Sequence, residues 1–159
     1  PLGLLPLFIN LSEMITFVIT LFFLVIVLTL TGPRPEPAFM VLLPLIFLMQ
    51  QALALALGVI AAVFTSLLRD LTEVVSIGFQ LWFWFTPIVY LRDILPDFAR
   101  SLVVFNPFFV FVESYHQILV FHQYIPWERL LLTAGLIALA LALAWKTLAA
   151  LERDVRDAL

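Results

Sequence analysis

From Ala38 to Leu68 the chain runs 31 residues without a charged side chain, until Arg69 and Asp70 end the run. Wound as a helix rising about 1.5 Å per residue, it reaches roughly 46 Å, more than the ~30 Å hydrocarbon core of a bilayer. Hydrocarbon offers the backbone no water to bond with, so such a segment must pair its own N–H and C=O groups in a helix. The rest of the chain agrees. Of its 159 residues 64% are hydrophobic and 12% charged, and mean hydropathy is +1.15, whereas soluble domains carry about 25% charge. The expected fold is an all-α membrane protein, with residues 1–159 forming one transmembrane domain.

About four transmembrane helices are expected, over 4–30, 38–68, 71–90 and 128–151. The first is interrupted only by Glu13. Pro33, Pro35 and Pro37 end it in a turn, because proline has no N–H to continue a helix. Pro44 is expected to kink the second. Small residues at i, i+4 spacing (Ala52/Ala56, Ala54/Gly58, Ala138/Ala142 and Ala140/Ala144) mark faces where another helix can approach closely. Between the third and fourth spans, Asn106-Pro107 and the polar run Glu113–Gln117 divide the apolar stretches into pieces too short to cross. A pair of short re-entrant helices is therefore expected over about 94–125, tolerated only where protein or water surrounds them. Four crossings put four Lys/Arg residues on each side, so the positive-inside rule does not orient the chain.

The composition narrows the chemistry. There is no cysteine, which removes disulfides and thiolate sites. A net charge of −3 without a basic stripe gives nucleic acid no footprint. The five glycines are scattered and form no phosphate-binding loop, so the chain itself holds no ATP, Mg or other cofactor. No catalytic acid–base or nucleophile set is persuasive, and no metal-binding signature occurs. Glu113 and His116, three residues apart on one helical face, admit an acid–base reading, but the polar face of an interfacial helix explains them as well. Glu13 reads either as an ionisable group on a translocation path or as the marker of a membrane–water boundary just before the true span.

The aromatic end of the third segment, Trp82, Phe83, Trp84, Phe85 and Tyr90, suits either an aromatic belt at headgroup depth or a channel wall on which sugar rings stack. Successive aromatics cover most of a helix circumference, so some of them face protein or a lumen. Thr86-Pro87 breaks that helix, and the Thr86 hydroxyl can serve a carbonyl that the proline leaves unpaired.

Taken in order, Leu68-Arg69-Asp70-Leu71, Phe79 through Tyr90 with its Thr86-Pro87-Ile88-Val89-Tyr90 ending, Phe105-Asn106-Pro107-Phe108, and Leu151-Glu152 with Asp157 form one pattern. The pattern resembles the permease subunit of type-2 ABC exporters for polysaccharides and polyol phosphates, the O-antigen and teichoic-acid export group. The resemblance implies a multi-pass protein of the bacterial cytoplasmic (inner) membrane that pairs as a homodimer. A separate ABC ATPase subunit would bind ATP and Mg and drive export of a lipid-linked glycan. It implies a cytoplasmic turn at Arg69 and Asp70, an external re-entrant region holding Asn106, Pro107, Glu113, Tyr115 and His116, and a substrate path along the aromatic residues. It also implies that Pro1–Leu159 corresponds to the C-terminal two-thirds of such a permease. The alternatives are a type-2 permease for a small amphiphile or drug and, from another class, an intramembrane enzyme using Glu113 and His116.

Overall fold

The computed structural model describes residues 4–32, 36–67, 70–86, 103 and 106–157. Among these every regular element is helical. In chain order they are α1 (Leu4–Thr31), α2 (Pro37–Met40), α3 (Leu43–Leu67), α4 (Leu71–Phe85), α5 (Pro107–His116), a π-helical turn (Gln117–Phe121) and α6 (Trp127–Asp157). Three helical stretches are long and apolar enough to cross a membrane: Leu5–Thr31, Pro37–Ser66 and Trp127–Leu151. Of the remaining expected span, the first 15 residues form α4, and residues 87–90 lie outside the described set.

The bend at Pro44 takes the form of a break. Leu42 N–H turns back to the Phe39 carbonyl at 3.1 Å, separating α2 from α3, and Pro44 falls in the first turn of α3, where its missing N–H costs no hydrogen bond.

α3 and α6 form the centre. Along α6 the buried side chains are Leu130, Thr133, Ile137 and Ala144, a spacing that keeps one stripe against a neighbour. Leu130 and Ile137 share a cluster with Leu43, Ile46 and Leu53, while Ala144 packs with Ala56 and Val59. Low numbers thus meet low numbers and high meet high, so α3 and α6 run in the same direction. Of the small-residue ladders, Ala52/Ala56 and Ala140/Ala144 occupy this contact. Ala138 and Ala142 face outward, and Ala54 and Gly58 border a cleft against α1.

From Leu21 to Leu28 α1 is apolar on every side, and Phe22 and Phe23 there are each about two-thirds exposed (67% and 66%). A helical stretch greasy all round belongs in lipid or inside a larger assembly. It meets the rest through Leu21, Val25 and Leu28 and through the Phe17 ring, stacked on Phe47 at 5.5 Å.

One expectation fails locally. The polar run Glu113–Gln117 does not separate two helices: α5 passes through Glu113, Ser114 and His116 and continues as the π turn to Phe121. Polar side chains interrupt hydrophobicity but not the backbone ladder, and this run contains no proline or glycine to break it. The helix stops instead at His122, which adopts the left-handed conformation (φ 51°), with the Gln117 carbonyl accepting from both His122 N–H and Gln123 N–H. The first half of the expected re-entrant pair, 94–102, lies outside the described residues.

Candidate functional site

The site is built where α4 ends and α5 begins. A residue that precedes proline is pushed out of the α region, and Thr86, before Pro87, is extended (φ −91°, ψ 120°). Its N–H bonds the Phe83 carbonyl at 3.1 Å. That shortened turn leaves the Trp82 carbonyl without its usual donor, and the Thr86 hydroxyl supplies one at 2.9 Å. Thr86 is buried.

Asn106 joins this end to α5. As N-cap it accepts from Phe108 N–H at 3.0 Å, with Pro107 preset at the first helical position. The same oxygen accepts from the Trp82 indole N–H at 3.0 Å, and the amide nitrogen donates to the Thr86 hydroxyl at 2.9 Å. Trp82 also lies edge-on to Phe108, with ring centroids 5.0 Å apart. One asparagine therefore closes one helix, starts another and fixes an indole ring between them.

The aromatic residues consequently divide. Trp82 is half-buried and its N–H is engaged; Phe83, Trp84 and Phe85 are exposed. Phe83 and Trp84 meet edge to face at 6.0 Å. Tyr90, Pro87 and Arg69 lie outside the described residues. At about 3.6 residues per turn, Leu71, Val75 and Trp82 fall on the packed side of α4. Glu73, Ser76, Gln80 and Trp84 fall on the opposite side and are all exposed. Asp70 stands exposed at the N-cap of α4 without a side-chain capping bond.

Beside the Trp82–Asn106–Thr86 junction is a cavity of about 370 Å³, walled by Phe17, Phe79, Trp82, Phe108 and Tyr115, with Gln50 as a polar corner. The Tyr115 hydroxyl is buried and has no hydrogen-bond partner among the described residues. His116 is exposed and borders a second cavity of about 360 Å³. Glu113 is tied across to α6, where Arg129 Nη1 meets its Oε2 at 2.7 Å. Among the described residues no group of three or more His, Asp and Glu gathers to hold a metal ion.

The resemblance places Asn106 in the re-entrant region, but the residues themselves read only as a break, although Asn-Pro ahead of an apolar run is also the signature of a cap followed by a first helical residue. Arg129 carried no signal, because no periodicity links it to Glu113.

Three helical stretches long and apolar enough to cross a membrane, packed around α3 and α6, define a helical membrane domain. A family model described as ABC-2 type transporter matches residues 10–120, and the chain belongs to that family. It is 32% identical over 147 residues to the O-antigen export system permease protein RfbA of Myxococcus xanthus, covering 91% of this chain and 55% of that one. It is 26% identical over 118 residues to the protein of the same name from Klebsiella pneumoniae, covering 74% of this chain and 46% of the other. The chain thus spans about half the length of the curated relatives it matches.

Proposed function

We propose that this chain is membrane-spanning permease sequence of an ATP-driven exporter. The exporter moves a lipid-linked polysaccharide, of O-antigen, capsule or teichoic-acid kind, across the bacterial cytoplasmic membrane. Two copies pair around the path, a separate ATPase subunit binds ATP and Mg, and the permease itself makes and breaks no bonds. The observation that carries this reading is the outward stripe on α4. Glu73, Ser76, Gln80 and Trp84 align on one face, opposite the packed one. Lipid gives such groups no hydrogen-bond partner, so polar residues on a membrane helix turn toward a bundle interior or water. A lumen completed by a second copy satisfies that demand. Gln80 then meets hydroxyls, and the Trp84 ring meets the C–H face of passing sugars. The name of the relatives supports the glycan as cargo.

The test is surface glycan in cells carrying the full-length protein. Gln80→Leu combined with Trp84→Ala is expected to lower it at least tenfold at normal permease level. Unchanged glycan would defeat the reading.

One observation favours a second reading. The aromatic cavity of about 370 Å³ matches a small amphiphile better than a glycan chain. Neighbouring genes decide: glycosyltransferases support the polysaccharide exporter, a resistance or biosynthetic cluster the small-molecule permease.

A further inference from the structure

α4 lacks the anchor that sets the central helices. α3 and α6 each sink a stripe of side chains into their shared core, whereas none of the 15 residues of α4 is buried. Leu71, Val75 and Trp82 are half-buried and the other twelve are exposed. Asp70, at its start, makes no side-chain capping bond. Packing this shallow fixes the rotation of a helix about its own axis poorly, since no side chain is seated deep between those of a neighbour. The firm attachment is at the other end, and it is polar. The Asn106 side-chain oxygen accepts from the Trp82 indole N–H at 3.0 Å, and its amide nitrogen donates to the Thr86 hydroxyl at 2.9 Å. That hydroxyl in turn donates to the Trp82 carbonyl at 2.9 Å. One carboxamide thus restrains both the ring and the backbone of Trp82, and it is itself fixed by capping α5.

Helical geometry carries this hold across the axis. Successive residues turn about 100°, so residues two apart lie about 200° apart, nearly opposite one another. Gln80 and Trp84 each stand two residues from Trp82. Holding Trp82 against α5 therefore turns both of them outward. A rotation by one residue, about 100°, would put Leu81 and Phe85, or Phe79 and Phe83, in their place. Either pair is wholly apolar, so the polar outward face exists at one setting of the helix. We propose that Asn106 is a positioning residue: it sets the rotation of α4 and thereby places Gln80 and Trp84 on the outward face. The proposal rests on the export reading only for the use of that face; the rotation is independent of any cargo.

The two duties of Asn106 can be separated. Serine caps a helix about as well as asparagine but is too short to keep the bonds to α4, so Asn106→Ser retains the start of α5 and frees Trp82. The pair Trp82→Phe, Thr86→Val removes the same bonds from the other side and leaves Asn106 in place. Spin labels on Gln80→Cys and Ala142→Cys, in full-length permease freed of other cysteines and diluted with unlabelled copies, report the setting of α4 against the outward side of α6. The label-to-label distance is expected to shift or broaden by about 5 Å or more in both variants, since a helix with its side chains is about 10 Å across. Labels on Phe64→Cys and Ala142→Cys, spanning α3 and α6, should keep their distance and so report an intact core. An unchanged Gln80–Ala142 distance in either variant overturns the proposal, because a capping role alone would leave α4 where it is. Surface glycan in cells is expected to fall at least threefold for both variants at normal permease level. If α4 moves and glycan holds, while Gln80→Leu with Trp84→Ala lowers it, the outward face matters but its setting does not, and the proposal fails. If none of these variants lowers glycan, the export reading fails, and the distance measurement still decides whether Asn106 sets the helix.

Discussion

The indole N–H of Trp82 donates to the side-chain oxygen of Asn106, 3.0 Å away and 24 residues on in the chain. The bond spans the end of one helix and the beginning of another, and it turns an aromatic residue that could have faced lipid into part of the frame.

Asn106→Ala removes the cap of α5 and both bonds to α4. A lost cap costs about 1 kcal/mol, and each further side-chain bond about the same, so a loss of about 2–3 kcal/mol is expected. Trp82→Phe removes one bond and should cost about 1 kcal/mol. Thermal unfolding of the full-length protein in detergent measures both. The double variant should lose less than the sum, because the two residues share an interaction.

The α3–α6 contact is sensitive on one face only. Ala56 and Ala144 are buried at 0% and 5% exposure, so Ala56→Leu or Ala144→Leu should cost about 1–3 kcal/mol through overpacking. Ala138→Leu and Ala142→Leu, on the outward side, should stay within about 0.5 kcal/mol. Equal losses at all four positions would refute the packing described.

Arg129 and Glu113 are paired with side chains 33% and 23% exposed. Pairs this accessible are worth little, so Arg129→Met should lower stability by only about 1 kcal/mol. The double variant Arg129→Met, Glu113→Gln should lose less than the sum of the two single losses, because the residues share an interaction. The readout is again the unfolding midpoint.

His122 has a positive φ and lies 6.4 Å from the Phe39 ring, centroid to centroid. His122→Gly relieves the backbone but gives up the ring, so a change near zero is expected. His122→Val gives up the ring and strains the backbone, which should cost about 1–2 kcal/mol. A Val variant as stable as the Gly variant would contradict the left-handed cap.

The long helices were legible because lipid imposes one simple rule, and an uncharged run such as Ala38–Leu68 obeys it visibly. The Thr86 backbone was legible too, since a following proline restricts its predecessor whatever the surroundings. The polar run at Glu113 misled because charge reads as an interruption in a hydropathy profile, while the helix ladder ignores it. The partner of Asn106 was hidden for a different reason. Its bonds reach an element whose position depends on the whole packing, and no local pattern encodes that.

The shared heading of α3 and α6 has a topological consequence. Two membrane-crossing rods that point the same way cannot be linked by a turn on one side; the chain between them has to traverse the bilayer an odd number of times. The stretch that opens with α4 must therefore complete a full return passage, although the described helix covers only about 22 Å of it at 1.5 Å per residue. Parity then places Asp70 and Asp157 in the same aqueous compartment, whichever compartment that is.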